Sequence, residues 1–318
     1  MADVSVVIPT YERPAFLEGA IETAIGQSYD SLDIVVVDDG SSTDYAERTA
    51  EEYPKRVQCV SHTENRGLSA ARNTGIEAGS GDYVAFLDDD DRWHRTKIER
   101  QVNALERDPS AGIATCLVVS ITPEGGIIRC EPGRPSGDLA DRALVRNVVG
   151  TPSRILVRQK CFDDIGSFDE SLSTKQDWDL YLRVCQRWTI ALVEDHLCFR
   201  TVHESMSSDP SAAERDNGTI LQKHRELITA RGRWNRALAD YHERIGRAYL
   251  HAGDPAAARE HLSKGLALQT TPWRGVLFAF TFTSPAVFDT AVRLKQKIER
   301  LRGDCGNVRP SADAVPGL

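Results

Sequence analysis

Four consecutive aspartates, Asp88 to Asp91, follow the apolar run Tyr83-Val84-Ala85-Phe86-Leu87 and precede Trp93. Such a run of β-branched and aromatic residues reads as a buried strand, and open α/β sheets deliver ligand-binding residues at the carboxyl ends of their strands. Four adjacent carboxylates repel one another, so positive charge must share the place. A hard divalent cation with a phosphate-bearing substrate meets that need most simply. One or two aspartates would read instead as the cap of the next helix. A second acidic strand end, Asp38-Asp39, closes the run Asp33-Ile34-Val35-Val36-Val37. Adjacent parallel strands would bring both clusters to one edge. There one carboxylate can take the ring N–H or ribose hydroxyls of a nucleotide while the other cluster holds a cation on its diphosphate. The first turn reads Pro9-Thr10-Tyr11-Glu12, without Gly-x-Gly-x-x-Gly, and the chain has no Walker A motif. Phosphates would therefore be met by metal and side chains, which favours a nucleotide-diphosphate donor over NAD or ATP.

The elements that must position these groups alternate between strand and helix. Val4 to Ile8 predicts a first strand closed by Pro9-Thr10, and Pro14 suits the first turn of a helix whose apolar face carries Phe16, Leu17, Ala20, Ile21, Ala24 and Ile25. Asp33 to Val37 predicts a second strand, a short helix runs through Tyr53, and Val57 to Val60 predicts a third strand. Leu68 to Ala78 predicts a helix, Tyr83 to Leu87 a fourth strand and Arg95 to Glu106 another helix. This rhythm implies a mostly parallel sheet covered by helices on both faces. From Ala111 to about Val202 the pattern becomes mixed: strands at Ile113 to Val119, Ile127-Ile128, Ile155 to Val157, Leu192-Val193 and Leu197 to Val202, a helix over Asp177 to Trp188, and a mobile loop over Glu131 to Asp138.

After Ser208-Asp209-Pro210-Ser211 the composition favours helices. Gly246 to Arg259 resembles a tetratricopeptide helix-turn-helix, with Ala256 to Leu268 as the second helix. A single unit cannot form a solenoid, so it reads as an appendage. The segment from Trp273 to Val292 is aromatic and apolar but interrupted by Pro285 and Asp289. Its length and breaks suit an interfacial membrane helix, flanked by Trp273 and Arg274 and by Arg293, Lys295, Lys297, Arg300 and Arg302, rather than a bilayer span; a helix packed on the catalytic domain is the other reading.

The 318 residues are 41% hydrophobic and 27% charged, a globular composition. The net charge of -8 argues against nucleic acid as a partner. Seven cysteines contain no Cys-x-x-Cys pair and therefore predict no zinc site. Cys59, Cys116, Cys185 and Cys198 lie in apolar stretches and read as buried free thiols of a reducing compartment. The strand at Val4 to Ile8 leaves no room for a signal peptide, so a cytoplasmic location, or the cytoplasmic face of a membrane, is expected.

Val6-Val7-Ile8-Pro9-Thr10-Tyr11, Val36-Val37-Asp38-Asp39-Gly40-Ser41-Ser42, Asn65-Arg66-Gly67-Leu68-Ser69-Ala70-Ala71-Arg72-Asn73 and Phe86-Leu87-Asp88-Asp89-Asp90-Asp91-x-Trp93 closely resemble family 2 glycosyltransferases over about residues 3 to 205. The resemblance implies an α/β GT-A fold, Rossmann-like, with a mostly parallel sheet flanked by helices and here a C-terminal helical appendage. With the composition of the later chain, the expected division is a nucleotide-sugar-binding half (1–107), an acceptor-binding and catalytic half (108–208), the appendage (209–270), a membrane-associating segment (271–302) and a disordered tail (303–318). The resemblance further implies that Pro9, Thr10, Tyr11, Glu12 and Asp38 contact base and ribose with Asp39 nearby, and that Arg72 reaches the nucleotide end. A surface ion pair is the other reading of Arg72. The family's Asp-x-Asp motif maps to Asp88 and Asp90, with Asp91 completing it and Asp89 beside them. Asp90 would bind Mg2+ or Mn2+ and Asp88 the ribose or the metal, with Asp89 expected to tolerate Ser. A register shifted to Asp89 and Asp91 stays open. His203 matches a late histidine that helps bind metal or diphosphate.

The segment Gln176-Asp177-Trp178-Asp179-Leu180-Tyr181-Leu182-Arg183 resembles the family's Glu-Asp-x-x-Leu-x-x-Arg, with Gln176 replacing the usual Glu. Asp177 then falls on the base that takes a proton from the acceptor, Asp179 is the competing carboxylate, and Trp178 shapes the acceptor side. An N-cap for Asp177 and plain core packing for Trp178 are the structural alternatives. The implied activity is metal-dependent, inverting transfer of a hexose-type sugar from a UDP-linked donor to a hydroxyl of a glycan or lipid-linked acceptor, in surface-polysaccharide or protein glycosylation, with peripheral membrane contact. A polyprenyl-phosphate sugar synthase of the same fold and a degenerate, non-catalytic binding module are the rival readings.

Overall fold

The computed structural model describes residues 3–54, 56–131, 133–203, 209–284, 286–288, 290–291 and 294. The expected disordered tail, Cys305, Pro285, Asp289 and the basic residues Arg293, Lys295, Lys297, Arg300 and Arg302 lie outside them. The described chain divides into two compact units: residues up to Leu139 together with Val148–His203, and Ala140–Asn147 together with the described residues from Asp209 onward.

The first unit opens with β1 (Val4–Thr10), α1 (Pro14–Ile25), β2 (Leu32–Asp38), α2 (Tyr45–Glu51), β3 (Val57–Ser61), α3 (Leu68–Ala78) and β4 (Tyr83–Phe86). After the aspartates come a two-residue strand β5 (Arg92–Trp93), α4 (Lys97–Arg107), β6 (Ala111–Ile121) and β7 (Ile127–Cys130). A short α5 (Ala140–Ala143) belongs to the second unit. A 3-10 turn (Pro152–Arg154), β8 (Ile155–Arg158), α6 (Gln159–Ile165), α7 (Gln176–Val184) and β9 (Thr189–Thr201) complete the first. The nine strands form one sheet in the order β3-β2-β1-β4-β8-β6-β9-β5, with β7 paired to β6.

β3, β2, β1 and β4 run parallel. β1 lies between β2 and β4, so the two acidic strand ends are separated by one strand rather than adjacent. The strand order reverses at β1, since β2 and β3 lie on one side of it and β4 on the other; such a switch point opens a crevice at the carboxyl ends of the strands. Burial of every residue of β1 and β4 explains their nearly continuous apolar sequences, because a parallel sheet is covered on both faces. Val4, Ile8, Leu17, Ile21, Ile34, Val36, Trp93 and Leu105 are among the residues that form the main core. β8 pairs antiparallel with β4 and β6 and supplies the mixed half.

One difference concerns β9. The sequence suggests two strands broken at Glu194-Asp195-His196, whereas a single strand runs through them. Register shifts near Cys116 and Leu117 absorb the irregularity without ending the ladder. The expected loop at 131–138 has no regular structure over its described residues but is anchored where Gly137 donates to Ile190 O (2.7 Å). Cys116, Cys185 and Cys198 are buried free thiols, and Cys59 is free and half-buried.

The second unit holds α8 (Pro210–Lys223), α9 (Arg225–Ala230), α10 (Trp234–His251), α11 (Pro255–Leu268) and α12 (Pro272–Phe280). α10 and α11 form the helical hairpin expected from the sequence. Asp254 caps α11 by accepting from the N–H groups of Ala256 and Ala257. At Gly246 a Cβ would come within 2.5 Å of Leu262 Cγ, so the residue lets the two helices close on each other. Leu250, Ala258 and Leu262 bury Leu277 of α12 and Phe288 beyond it.

Candidate active site

The crevice is built from the ends of β1, β2 and β4, and each side chain there has a distinct job. At the end of β1, buried Thr10 donates to Asp89 Oδ2 (2.8 Å) and bonds the Tyr45 hydroxyl (2.7 Å). Tyr11 is exposed. Glu12, at φ 53°, accepts from the Ser42 N–H (2.7 Å), while its own N–H donates to Ser41 Oγ (3.0 Å). Its carboxylate thus clamps the turn after β2.

In that turn Ser41 bonds Oδ1 of Asp38 through its hydroxyl (2.5 Å) and its N–H (3.3 Å). Gly40, at φ +78°, permits the turn, since a Cβ there would lie 2.3 Å from the Glu64 backbone. Asp39 departs from the expected nucleotide contact. It is buried, and its oxygens are taken by His62 Nδ1 (2.7 Å) and by the N–H groups of Arg66 (3.0 Å) and Gly67 (2.8 Å). Asp39 therefore latches the loop that leads into α3.

The four aspartates divide their charges among separate partners. Asp88 accepts from Arg72 Nη2 (2.8 Å), and its own N–H bonds Ser153 Oγ (3.1 Å). Arg72 is 2% exposed and stacks over Phe168 at 5.4 Å, which excludes the surface ion pair. Asp89 is 4% exposed and accepts from Thr10 and from Arg13 Nη1 (3.1 Å). Burial pushes its carboxyl up to about 6 against the lowering effects of Thr10 and Arg13. Asp90 accepts from Arg13 Nη1 (2.8 Å), and its Oδ2 lies 2.9 Å from His203 Nε2. Asp91 is fully buried, accepts from the Thr201 N–H (3.0 Å), and is held well above the usual carboxylate range, first by burial and then by Asp88 and Asp90. It pins the acidic loop to β9. Arg13 and Arg72 thus supply much of the positive charge that the cluster requires. The shifted Asp89/Asp91 register loses its basis, because both of those carboxylates are buried and engaged.

Among the described residues no group of three or more His, Cys, Asp or Glu side chains could hold a metal ion. Asp90 Oδ2 and His203 Nε2, 2.9 Å apart, are an oxygen and an imidazole donor of the kind that would hold a divalent cation beside a substrate diphosphate. His203 also packs edge-on against Phe16 (5.4 Å), which fixes its ring.

α7 brings the remaining chemistry. Asn73 of α3 accepts from the Phe168 N–H (2.9 Å) and donates to Glu170 (2.9 Å), tying the segment before α7 to the helix that carries Arg72. Asp177 is half-buried, is bonded by the Trp178 N–H (2.8 Å), and lies in electrostatic reach of Arg72 and Asp88. Burial is the main cause that raises its carboxyl, with the Trp178 N–H, Arg72 and Lys175 opposing. Lys175, not Asp177, stands at the N-cap. Asp179 and Trp178 are corrections. Asp179 is 0% exposed and bridged by Arg183 (2.8 and 2.9 Å), which also holds the carbonyls of Ile165, Gly166 and Ser167; Trp178 is 2% exposed in the core. Neither side chain is available to an acceptor.

Sequence reasoning missed Arg13, Tyr45, His62 and Tyr181. Arg13 stands three residues beyond Thr10 in the same turn, which was the available signal. Tyr181 stands four residues after Asp177, hence on the same helix face, and its buried hydroxyl has no hydrogen-bond partner among the described residues. Buried Ser69 Oγ and Arg72 Nε on α3 are likewise unpartnered there. Unsatisfied buried polar groups call for an explanation, and a bound polar ligand is one that fits here.

Residues 5–166 match the family model described as "Glycosyl transferase family 2". The chain belongs to glycosyl transferase family 2. An uncharacterized glycosyltransferase of Rickettsia felis is 30% identical to this family 2 chain over 225 residues, covering 69% of the chain but only 37% of the relative. Among solved structures, residues 1–349 of S. aureus TarS in complex with UDP-GlcNAc superpose with a TM-score of 0.57 at 15% identity (87% of this chain, 91% of that one). The mannosyltransferase PcManGT from Pyrobaculum calidifontis, in complex with GDP-Man and Mn2+, superposes with a TM-score of 0.57 at 20% identity (95% and 89%). The expected GT-A architecture with a C-terminal helical region is thus the one this family 2 glycosyltransferase has.

Proposed function

We propose that the crevice transfers a sugar, with inversion, from a nucleotide-diphosphate donor to a hydroxyl of a glycan or lipid-linked saccharide. The observation that carries this reading is the convergence of Thr10, Asp38, Asp88 and Asp90 at the switch point with Asp177 in electrostatic reach of Arg72 and Asp88. A binding module would need the strand-end carboxylates but not a half-buried carboxylate in electrostatic reach of Asp88.

Asp38, with Ser41 on one oxygen, keeps a second oxygen for a base or ribose donor. Pro9 and Thr10 end β1 beside it, Thr10 in register with Asp38, and Tyr11 opens the turn that follows. Arg72 and Asp88 orient each other, and the free Nε of Arg72 with the hydroxyls of Ser69 and Tyr181 can bond donor oxygens. Asp90 and His203 would hold Mg2+ or Mn2+. Bound there, the ion neutralises charge on the departing diphosphate.

Asp177 accepts the proton of the acceptor hydroxyl as that oxygen bonds the anomeric carbon. The bond from that carbon to the diphosphate oxygen breaks, and its electron pair leaves with the nucleoside diphosphate. A carboxyl raised by burial is a stronger base than a solvated one, provided Arg72 and the Trp178 N–H keep it ionised.

The neighbour bound to UDP-GlcNAc supports a UDP-linked donor, and the one bound to GDP-Man keeps GDP in the test. Purified protein with Mn2+ should bind or slowly hydrolyse one class of nucleotide sugar from a panel of UDP- and GDP-linked donors. Failure to bind any nucleotide diphosphate sugar would overturn the proposal. Transfer to plain polyprenyl phosphate in preference to a hydroxyl would replace it with the phosphate-acceptor synthase.

A further inference from the structure

We infer that Arg134, Arg154 and Arg200 form a recess beside the crevice that holds an anionic group of the acceptor saccharide, a phosphate or a carboxylate. The recess itself follows from geometry; its assignment to the acceptor rests on the transfer reading. Arg154 ends the 3-10 turn after Thr151 and is 1% exposed. Its Nε donates to Thr115 Oγ1 (2.8 Å) and its Nη2 to the Cys116 carbonyl, so two of its nitrogens anchor it to β6. The third, Nη1, lies beside Gly150. A Cβ at that glycine would come within 3.1 Å of Arg154 Nη1 and 3.7 Å of Arg134 Nε. Two guanidinium groups thus approach one point where the chain carries no side chain.

The charges around that point are unbalanced. Among the described residues, Arg134 Nε and Arg200 Nε are buried without a hydrogen-bond partner. Arg154 lies in electrostatic reach of Arg134 and of Glu131. Glu131 gives its Oε1 to Arg200 Nη2 (2.9 Å) and to the Ser120 hydroxyl (3.0 Å), with Arg129 Nη2 at 4.0 Å. Four guanidinium groups therefore gather about one carboxylate, in a chain whose net charge is -8. Like charges so gathered repel one another, and a bound anion relieves them. The planar fork of a guanidinium matches the oxygens of a phosphate or a carboxylate.

The recess adjoins the reacting groups. Ser153, next to Arg154, bonds the Asp88 N–H (3.1 Å). Tyr181 lies in electrostatic reach of Arg154, Asp177 and Asp88 alike. In the transfer reading the donor's diphosphate is met at Asp90 and His203, so a negative group held by these arginines, near the base, belongs to the second substrate.

The test is saturation-transfer NMR of the purified full chain, saturated with UDP and Mn2+, against glycerol 3-phosphate, glucuronic acid and neutral glucose. One of the two anions should bind about tenfold or more tighter than glucose and lose affinity as salt rises; the better of the two assigns phosphate or carboxylate. R134Q should weaken that anion about fivefold or more. E131Q, which keeps an oxygen for Ser120 and Arg200, should tighten it about threefold. Opposite shifts of this kind come from charge at the recess and not from a general loss of structure. Anions that bind no better than glucose, or no effect of either variant, would overturn the inference. So would an anion that binds only when UDP is left out, which would place it at the donor's diphosphate. UDP binding that persists while anion binding fails refutes this inference alone; wild type that binds no UDP refutes the transfer reading and the acceptor assignment with it. If R134Q fails to fold, E131Q carries the decision.

Discussion

Asp39→Ala separates a latch from a ligand. The carboxylate makes three bonds, to His62 Nδ1 (2.7 Å) and to the N–H groups of Arg66 (3.0 Å) and Gly67 (2.8 Å), and the residue is 4% exposed. Bonds to an ionised acceptor contribute about 1.5–3 kcal/mol each when dry and nearer 1 kcal/mol when water can replace them. Arg66 is exposed and Gly67 half-buried, so their amides can be partly rehydrated. A loss of about 3–4 kcal/mol follows, which for a unit of this size lowers the unfolding midpoint by about 6–16 °C. Asp38→Asn, whose carboxyl bonds only the neighbouring Ser41 in its own turn, should leave the midpoint nearly unchanged and weaken nucleotide binding instead. Thermal unfolding and calorimetric titration with nucleoside diphosphate, run on both variants, give the two readouts. If Asp39→Ala melts like wild type and loses nucleotide binding while Asp38→Asn does neither, the assignment of latch and ligand is reversed.

Asp177→Asn keeps an oxygen for the Trp178 N–H but cannot take a proton; turnover should fall about 10²–10⁴-fold with donor affinity unchanged, measured by steady-state kinetics and titration. Asp89→Ser should weaken donor binding by about tenfold, because Arg13 loses one of its two anchors. It should not lower the melting temperature, since burial of that carboxylate at a raised pKa opposes folding at neutral pH; unchanged donor affinity would restore the tolerance expected from the sequence. In the helical unit, His242 is drawn down to about 4 from 6.5 by burial, His261 and Lys264, against Glu260. His261 is lowered by burial and Lys264, against Glu214 and Glu260. Both bind protons more readily when unfolded. Their contribution is therefore complete above about pH 6.5 and lost as pH falls toward 4, and thermal melts across that window should show the decline and its reduction in His242→Gln.

Most of the architecture could be read from the sequence, because the elements are periodic. β1, β2 and β4 announce themselves as mainly apolar runs, and the Gly253-Asp254-Pro255 turn marks the hairpin between α10 and α11. The positions of the candidate site residues were equally legible, since strand ends and helix starts fix them. What spacing could not reveal was which carboxylates are already occupied. Asp39, Asp91 and Asp179 are of the same residue type as Asp38, Asp90 and Asp177 and stand within one or two residues of them. They differ only in their partners: the loop before α3 for Asp39, the end of β9 for Asp91, and for Asp179 the Arg183 one turn on, which ties it to 165–167. Arg13 escaped notice for the same reason, as its ties to Asp89 and Asp90 span the width of β1 and β4.

Proton NMR of the sugar's anomeric signal during turnover tests the central claim most directly, because it follows the bond that the crevice is proposed to make. With the preferred donor, Mn2+ and a hydroxyl acceptor, the product should carry the anomeric configuration opposite to the donor's, and Asp177→Asn should suppress its appearance. A product that retains the donor's configuration, or one that forms equally fast without Asp177, would contradict the account.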